Sequence, residues 1–102
     1  MIDQGTVYDR LKATARALWF TRHARERAVE RGVSSFEIAA AIVHGTRRRT
    51  LRPRPDRAEF LYILTSSTVA RLSRVVAVPL RPGLVVAMSG DDRVITVLWS
   101  CQ

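Results

Sequence analysis

Residues 20–45 of this 102-residue chain, FTRHARERAVERGVSSFEIAAAIVHG, constrain the fold more than any other stretch. They spell two short helices joined by a sharp turn. Thr21 is placed to cap the first, its hydroxyl accepting from a free N–H of the first turn. Gly32 follows Arg31 where a chain leaving a helix turns left-handed, a conformation only glycine takes cheaply. Ser34 with Glu37 three residues on forms a capping box, so the second helix starts at Ser34. Gly45 is expected to end it as Gly32 ends the first. The spacing predicts helices over 21–31 and 34–44.

The first of these helices carries the one chemical constellation of the chain. His23, Arg27 and Arg31 recur at i, i+4 and i+8. Each step of four residues advances about 400°, so the three share a slowly drifting stripe. Ala24 and Ala28 lie beside it and are the candidates to seat against the core. An imidazole with two guanidinium groups on one face suits a phosphodiester: one base and two fixed positive charges. The same spacing also fits a structural reading. His23 then hydrogen-bonds inside the fold while the arginines are solvated or pair with Glu26 and Glu30.

The run His23-Ala24-x-x-Arg27-x-x-x-Arg31-Gly32-Val33, followed by Ser34, Glu37-Ile38 and Gly45, resembles the signature of a small bacterial domain family of unassigned function. That family is similar to the RelE and BrnT toxins of the barnase–EndoU–RelE ribonuclease superfamily. The likeness covers residues 20–45 and resumes at Val94-Ile95-Thr96-Val97, where the family also ends in a strand. It does not cover the middle of the chain, and Ala28 stands where a bulkier residue is common. The resemblance implies a helix pair packed on an antiparallel sheet and ribonuclease activity. It also implies that Thr96 hydrogen-bonds the site.

Composition narrows the partner. The formal net charge is +8, and of 17 basic residues Lys12 is the one lysine, the other 16 being arginine. Arginine offers a planar fork that fits phosphate and stacks on bases. Such an excess favours a polyanion over a neutral small molecule. Arginine-rich coding in a GC-rich genome explains the missing lysines better than the net charge. Cys101 is the single cysteine, so no internal disulfide is expected, and one cysteine with two histidines builds no structural zinc site. No signal peptide or bilayer-length apolar run is read, so a cytoplasmic, non-membrane protein is expected.

In chain order, Val7, Leu11, Ala15 and Leu18 recur at helical spacing and predict a leading helix over 6–17. Trp19 and Phe20 are expected to anchor into the core. Residues 46–57, TRRRTLRPRPDR, form a basic arm in which Arg47, Arg48, Arg49, Arg52 and Arg54 are the candidate RNA contacts. Residues 46–51 suit an edge strand before Pro53 and Pro55. A solvated loop guarding a sheet edge is the competing reading of the arm. Strands are expected over 59–65, 74–80, 84–89 and 93–100, with 66–71 as a polar break. Turns fall at Arg81-Pro82-Gly83 and Gly90-Asp91-Asp92. In the last strand Ile95, Val97 and Trp99 are read on one face, Thr96 and Ser100 on the other. The whole is one α+β domain, 1–102: leading helix 1–19, helix pair 20–45, arm 46–57, sheet 58–102. Three N-terminal helices precede a four- to five-stranded, mainly antiparallel sheet.

The nine acidic residues are scattered, so neither a magnesium cluster nor any other cofactor site is read. What fits is metal-independent cleavage of RNA through its own 2′-hydroxyl. His23, at the start of its helix where the dipole disfavours a cation, is the candidate base. Arg27 and Arg31 steady the phosphate. The acid is open between an arginine, Tyr62 and solvent. His44, near a helix C-terminus, is read as structural. The competing class is a non-catalytic module whose basic surface holds nucleic acid or an acidic antitoxin or immunity protein. Exposure of His23 separates the two: open beside basic groups it favours the enzyme, sealed in the core it favours the module.

Overall fold

The computed structural model describes residues 4–50 and 59–100. Arg52, Arg54 and Cys101 of the expectations above lie outside the described residues. The order is α1 (Gln4–Ala17), β1 (Trp19–Phe20), α2 (Arg22–Glu30), α3 (Ser35–His44), β2 (Thr46–Arg49), β3 (Phe60–Leu64), α4 (Ser66–Leu72), β4 (Leu84–Met88) and β5 (Arg93–Trp99). The five strands form one sheet in the order β1-β5-β4-β3-β2. Every pairing is antiparallel except β1 with β5. The chain is therefore α+β with a mixed sheet.

The local signals in 20–45 work as the side chains dictate. Thr21 Oγ1 accepts from Ala24 N at 3.1 Å. Gly32 takes φ +62°, and Gly32 N and Val33 N bond back to Val29 O and Ala28 O at 3.2 and 2.9 Å. That pair of bonds satisfies carbonyls the helix end would otherwise orphan. Ser34 Oγ accepts from Glu37 N at 3.1 Å, and Ser34 N donates to Glu37 Oε1 at 3.2 Å. Gly45 ends α3 for a different reason than expected. Its φ is −71° and its ψ 172°, extended backbone that any residue can adopt. A Cβ there would collide with Ala41 O and come within 2.7 Å of Ile63 O, so glycine lets the helix end pass close to β3.

The core lies between the helices and one face of the sheet. Val7 and Leu11 of α1, Ala24 and Ala28 of α2, and 38–41 of α3 meet Leu64, Leu84, Val86, Val94 and Val97. Burying each large aliphatic side chain contributes roughly 1.5–3 kcal/mol. Tyr8 of α1 and Phe36 of α3 set their rings 5.6 Å apart where these helices meet.

Three expectations need correcting. Residues 66–71 are not a polar break: Thr65 caps α4, accepting from Thr68 N at 3.3 Å, and Leu72 is buried. Residues 74–80 are not a strand. Val75 N and Val76 N bond back to Leu72 O, while Val76 and Leu80, four apart, bury in the core. Pro79 has no N–H to give a ladder. Finally, β5 does not alternate regularly. Thr96 pairs with Ala87 but Val94 pairs with Met88, leaving Ile95 as the extra residue of a bulge. Val94 and Val97 thus both reach the core, and Thr96 falls with Ala87 on the face away from it.

The α2–α3 turn is locked to the sheet by a buried carboxylate. Glu37, 4% exposed, takes Arg81 Nε at 3.1 Å on Oε2 and Arg81 Nη2 at 2.9 Å on Oε1. The same Nη2 donates to Gly32 O at 2.5 Å. Arg81 Cζ lies 4.5 Å from the centre of the Trp99 ring, and Trp99 Nε1 donates to Arg31 O at 3.2 Å. Arg81→Ala is expected to cost about 2 kcal/mol, because it strips a buried carboxylate of a two-pronged partner. Urea unfolding measures it, and Arg81→Lys should recover less than half, since an ammonium group cannot make the fork.

Candidate functional site

Helix α2 runs along the outer edge of β5. β1 pairs with β5 at two positions only, Trp19 with Arg93 and Phe20 with Val94. Beyond them α2 and its cap meet the strand's edge. Thr21 N donates to Val94 O at 3.0 Å, Thr21 Oγ1 to Ile95 O at 3.2 Å, and Arg31 Nη1 to Val97 O. Edge carbonyls of β5 are satisfied by one backbone N–H and two side chains where no strand continues. Ala24 and Ala28, both buried, let α2 approach closely.

The stripe of His23, Arg27 and Arg31 is present, and its members differ in what they are free to do. His23 is exposed in the first turn of α2. Arg27 is half-buried and pairs with Glu30 Oε2, three residues on, at 2.5 Å. Arg31 is a strap: its guanidinium holds Val97 O and its carbonyl takes Trp99 Nε1. Thr96 is half-buried, and no hydrogen bond joins its hydroxyl to His23, Arg27 or Arg31. Tyr62 sits on β3, separated from β5 by β4, and packs against the core. That position takes it away from the stripe as a proton donor.

Arg47, Arg48 and Arg49 are exposed on β2, the far edge of the sheet from α2. Arg47 Cζ stands 5.2 Å over the Phe60 ring, and Arg49 Nη2 meets Glu59 Oε1 at 3.3 Å. Among the described residues no group of three or more His, Cys, Asp or Glu is placed to hold a metal ion.

Sequence reasoning misplaced Trp19. It is 63% exposed, with Arg93 Cζ 5.8 Å from its ring centre. The missed signal was the dipeptide itself: in a two-residue strand one side chain goes in and the next goes out. Phe20 goes in. It helps line a cleft of about 380 Å³ with Leu18, Arg25, Ala28, Val29 and Val33.

His44 is held away from the cationic state that a helix C-terminus favours. Burial first, then the positive charges of Arg71 and Arg10, push its pKa below the ordinary histidine value. Its Nε2 is buried without a hydrogen-bond partner, beside a cavity of about 320 Å³ lined by Val7, Arg71, Leu72 and Val75. These effects outweigh the favourable helix C-terminus.

Compared with known proteins, the chain matches no family model, no curated protein and no solved structure.

A histidine whose pKa is lower folded than unfolded binds fewer protons in the folded state. Its destabilising effect is therefore absent well above the unfolded value, about 6.5, and grows as the pH falls from there toward the folded value. Unfolding midpoints in urea should drop as the pH is lowered from neutral, and His44→Asn should flatten that dependence. An equally steep profile in the variant would place the titration elsewhere.

Proposed function

We propose that this protein cleaves RNA without a metal ion, His23 acting as the general base and Arg27 as the cation facing the phosphate. The observation that carries the reading is the exposure of His23 on the first turn of α2, next along the stripe from Arg27. A buried histidine could not reach a polymer. The helix N-terminus beside it favours an anion. A net charge of +8 and the arginine edge of β2 favour a polyanion. The resemblance of residues 20–45 to the family related to RelE and BrnT supports the same class. On this reading the protein is a toxin-like, cytoplasmic endoribonuclease, and an acidic antitoxin or immunity protein is the partner its charge fits.

The chemistry follows from the substrate. The 2′-oxygen attacks the adjacent phosphorus as His23 takes its proton, and the bond from phosphorus to the 5′-oxygen breaks. Arg27 offsets charge on the phosphorane-like transition state once it swings from Glu30. The leaving 5′-oxygen takes its proton from solvent. Arg31 holds α2 on the strand rather than gripping phosphate, and Thr96, on the face of β5 turned from the core, is given no part in the step. The products are a 2′,3′-cyclic phosphate and a 5′-hydroxyl.

A second reading has its own support. With Arg31 bonded to Val97 O and Arg27 paired with Glu30, the stripe offers fewer open cations than its spacing suggests. A non-catalytic module that holds RNA or an acidic protein needs only the charge and the β2 edge.

Purified protein on single-stranded RNA separates them. His23→Ala should lower cleavage by roughly 10²- to 10⁴-fold, the usual loss on removing a general base, with excess chelator inert. DNA and 2′-O-methyl RNA should resist. A wild type that binds RNA and leaves it uncut makes the module the answer.

The arm has a separate readout. Each arginine engaged on a phosphate contributes roughly 0.7 to the slope of log affinity against log salt for single strands. Replacing Arg47, Arg48 and Arg49 with alanine should flatten that slope with little change in unfolding midpoint. An unchanged slope makes β2 a spectator.

A further inference from the structure

We infer that Trp19, with Arg93 stacked against it, is a subsite for one nucleobase of single-stranded RNA. The inference rests on the RNA reading above and adds to it a residue that neither the stripe nor the arm contains. Three large hydrophobic side chains are exposed among the described residues: Trp19, Val29 and Leu98. Trp19 is the aromatic one and, at 63%, an indole mostly in water. The protein holds it there by design of the backbone. β1 pairs Trp19 with Arg93 and Phe20 with Val94, and Val94 is fully buried, so Trp19 and Arg93 share the face turned from the core. Arg93 Nε is fixed by Asp91 Oδ1 at 3.1 Å, and its guanidinium carbon stands 5.8 Å from the indole centre. The cation thus orients the ring before any ligand arrives.

The occupant is argued from chemistry and place. An exposed aromatic ring beside an arginine, on a strongly basic protein, stacks a base while nearby cations carry the backbone. Trp19 is two residues before the Thr21 cap and four before His23. Both ends of that short path are fixed to β5, Trp19 through Arg93 and His23 through the bonds of Thr21 to Val94 and Ile95. A base on Trp19 therefore lies four residues from His23 along a path fixed to β5.

The test uses the full protein and a short 2′-O-methyl oligoadenylate, which binds without being cut. Tryptophan fluorescence should quench on binding, and the quench should vanish in Trp19→Phe with affinity nearly kept. Trp19→Ala should weaken binding about ten- to a hundred-fold, the usual worth of one stacked base, while leaving the salt slope unchanged. An oligomer abasic throughout should bind the wild type as weakly as Trp19→Ala binds the full one, and should not sense that substitution. Equal affinity of wild type and Trp19→Ala overturns the subsite while RNA binding stands. Failure of the wild type to bind any single strand overturns the RNA reading itself. Concentration-dependent self-association of the wild type that Trp19→Ala abolishes would make Trp19 a contact between copies, and the subsite is then wrong.

Discussion

A carboxylate with almost no access to water holds this fold in register. Glu37 closes the capping box of α3 and receives the two-pronged guanidinium of Arg81, which also reaches the carbonyl of Gly32. A buried charge left alone would be costly, so the pair has to form, and forming it fixes where the α2–α3 turn meets the segment entering β4. From there the contacts run on without a gap. Arg81 stacks on Trp99, Trp99 donates to Arg31 O, and Arg31 reaches Val97 O. One ion pair and three polar contacts thereby fasten the end of α2 to β5. The first turn of α2, with His23, is fastened independently by Thr21.

This fastening divides the basic residues by task. Arg31 and Arg81 are spent on structure, and their spacing in sequence gave no warning of it. Arg27 stands between, half-buried and paired to Glu30. Arg47, Arg48 and Arg49 stay exposed on β2. Three of the exposed arginines thus stand together on the edge of the sheet opposite α2.

What could be read beforehand was local. The Thr21 cap, the left-handed Gly32, the Ser34–Glu37 box and the Gly90-Asp91-Asp92 turn each depend on residues within a few positions of one another, and each formed. Asp92 takes φ +65° in that turn. What could not be read was set by distant partners. Residues 74–80 look like a strand by composition, but they join no strand of the sheet. They follow the end of α4 and bury Val76 and Leu80 instead. Gly45 has no room for a side chain between Ala41 O of its own helix and Ile63 O, and the second of these is a fact about β3. The bulge at Ile95 puts Val94 on the same face as Val97, while Thr96 stays opposite Val97 as alternation placed it; the irregularity at Ile95 is what one strand's pattern cannot show. For the candidate site, His23 and its stripe were legible from spacing. The diversion of Arg31 to a backbone carbonyl and the outward turn of Trp19 were not.

The two borders of the sheet are unlike. Past the short β1, the β5 border is closed by a hydroxyl and a guanidinium bonded to its carbonyls, so no further strand can add there without displacing α2. Among the described residues no strand lies beyond β2, whose edge carries three consecutive arginines. Growth of this sheet is therefore one-directional and selective by sign. Two copies meeting edge to edge at β2 would set arginine against arginine, and an extended segment that joins there has to bring negative charge with it.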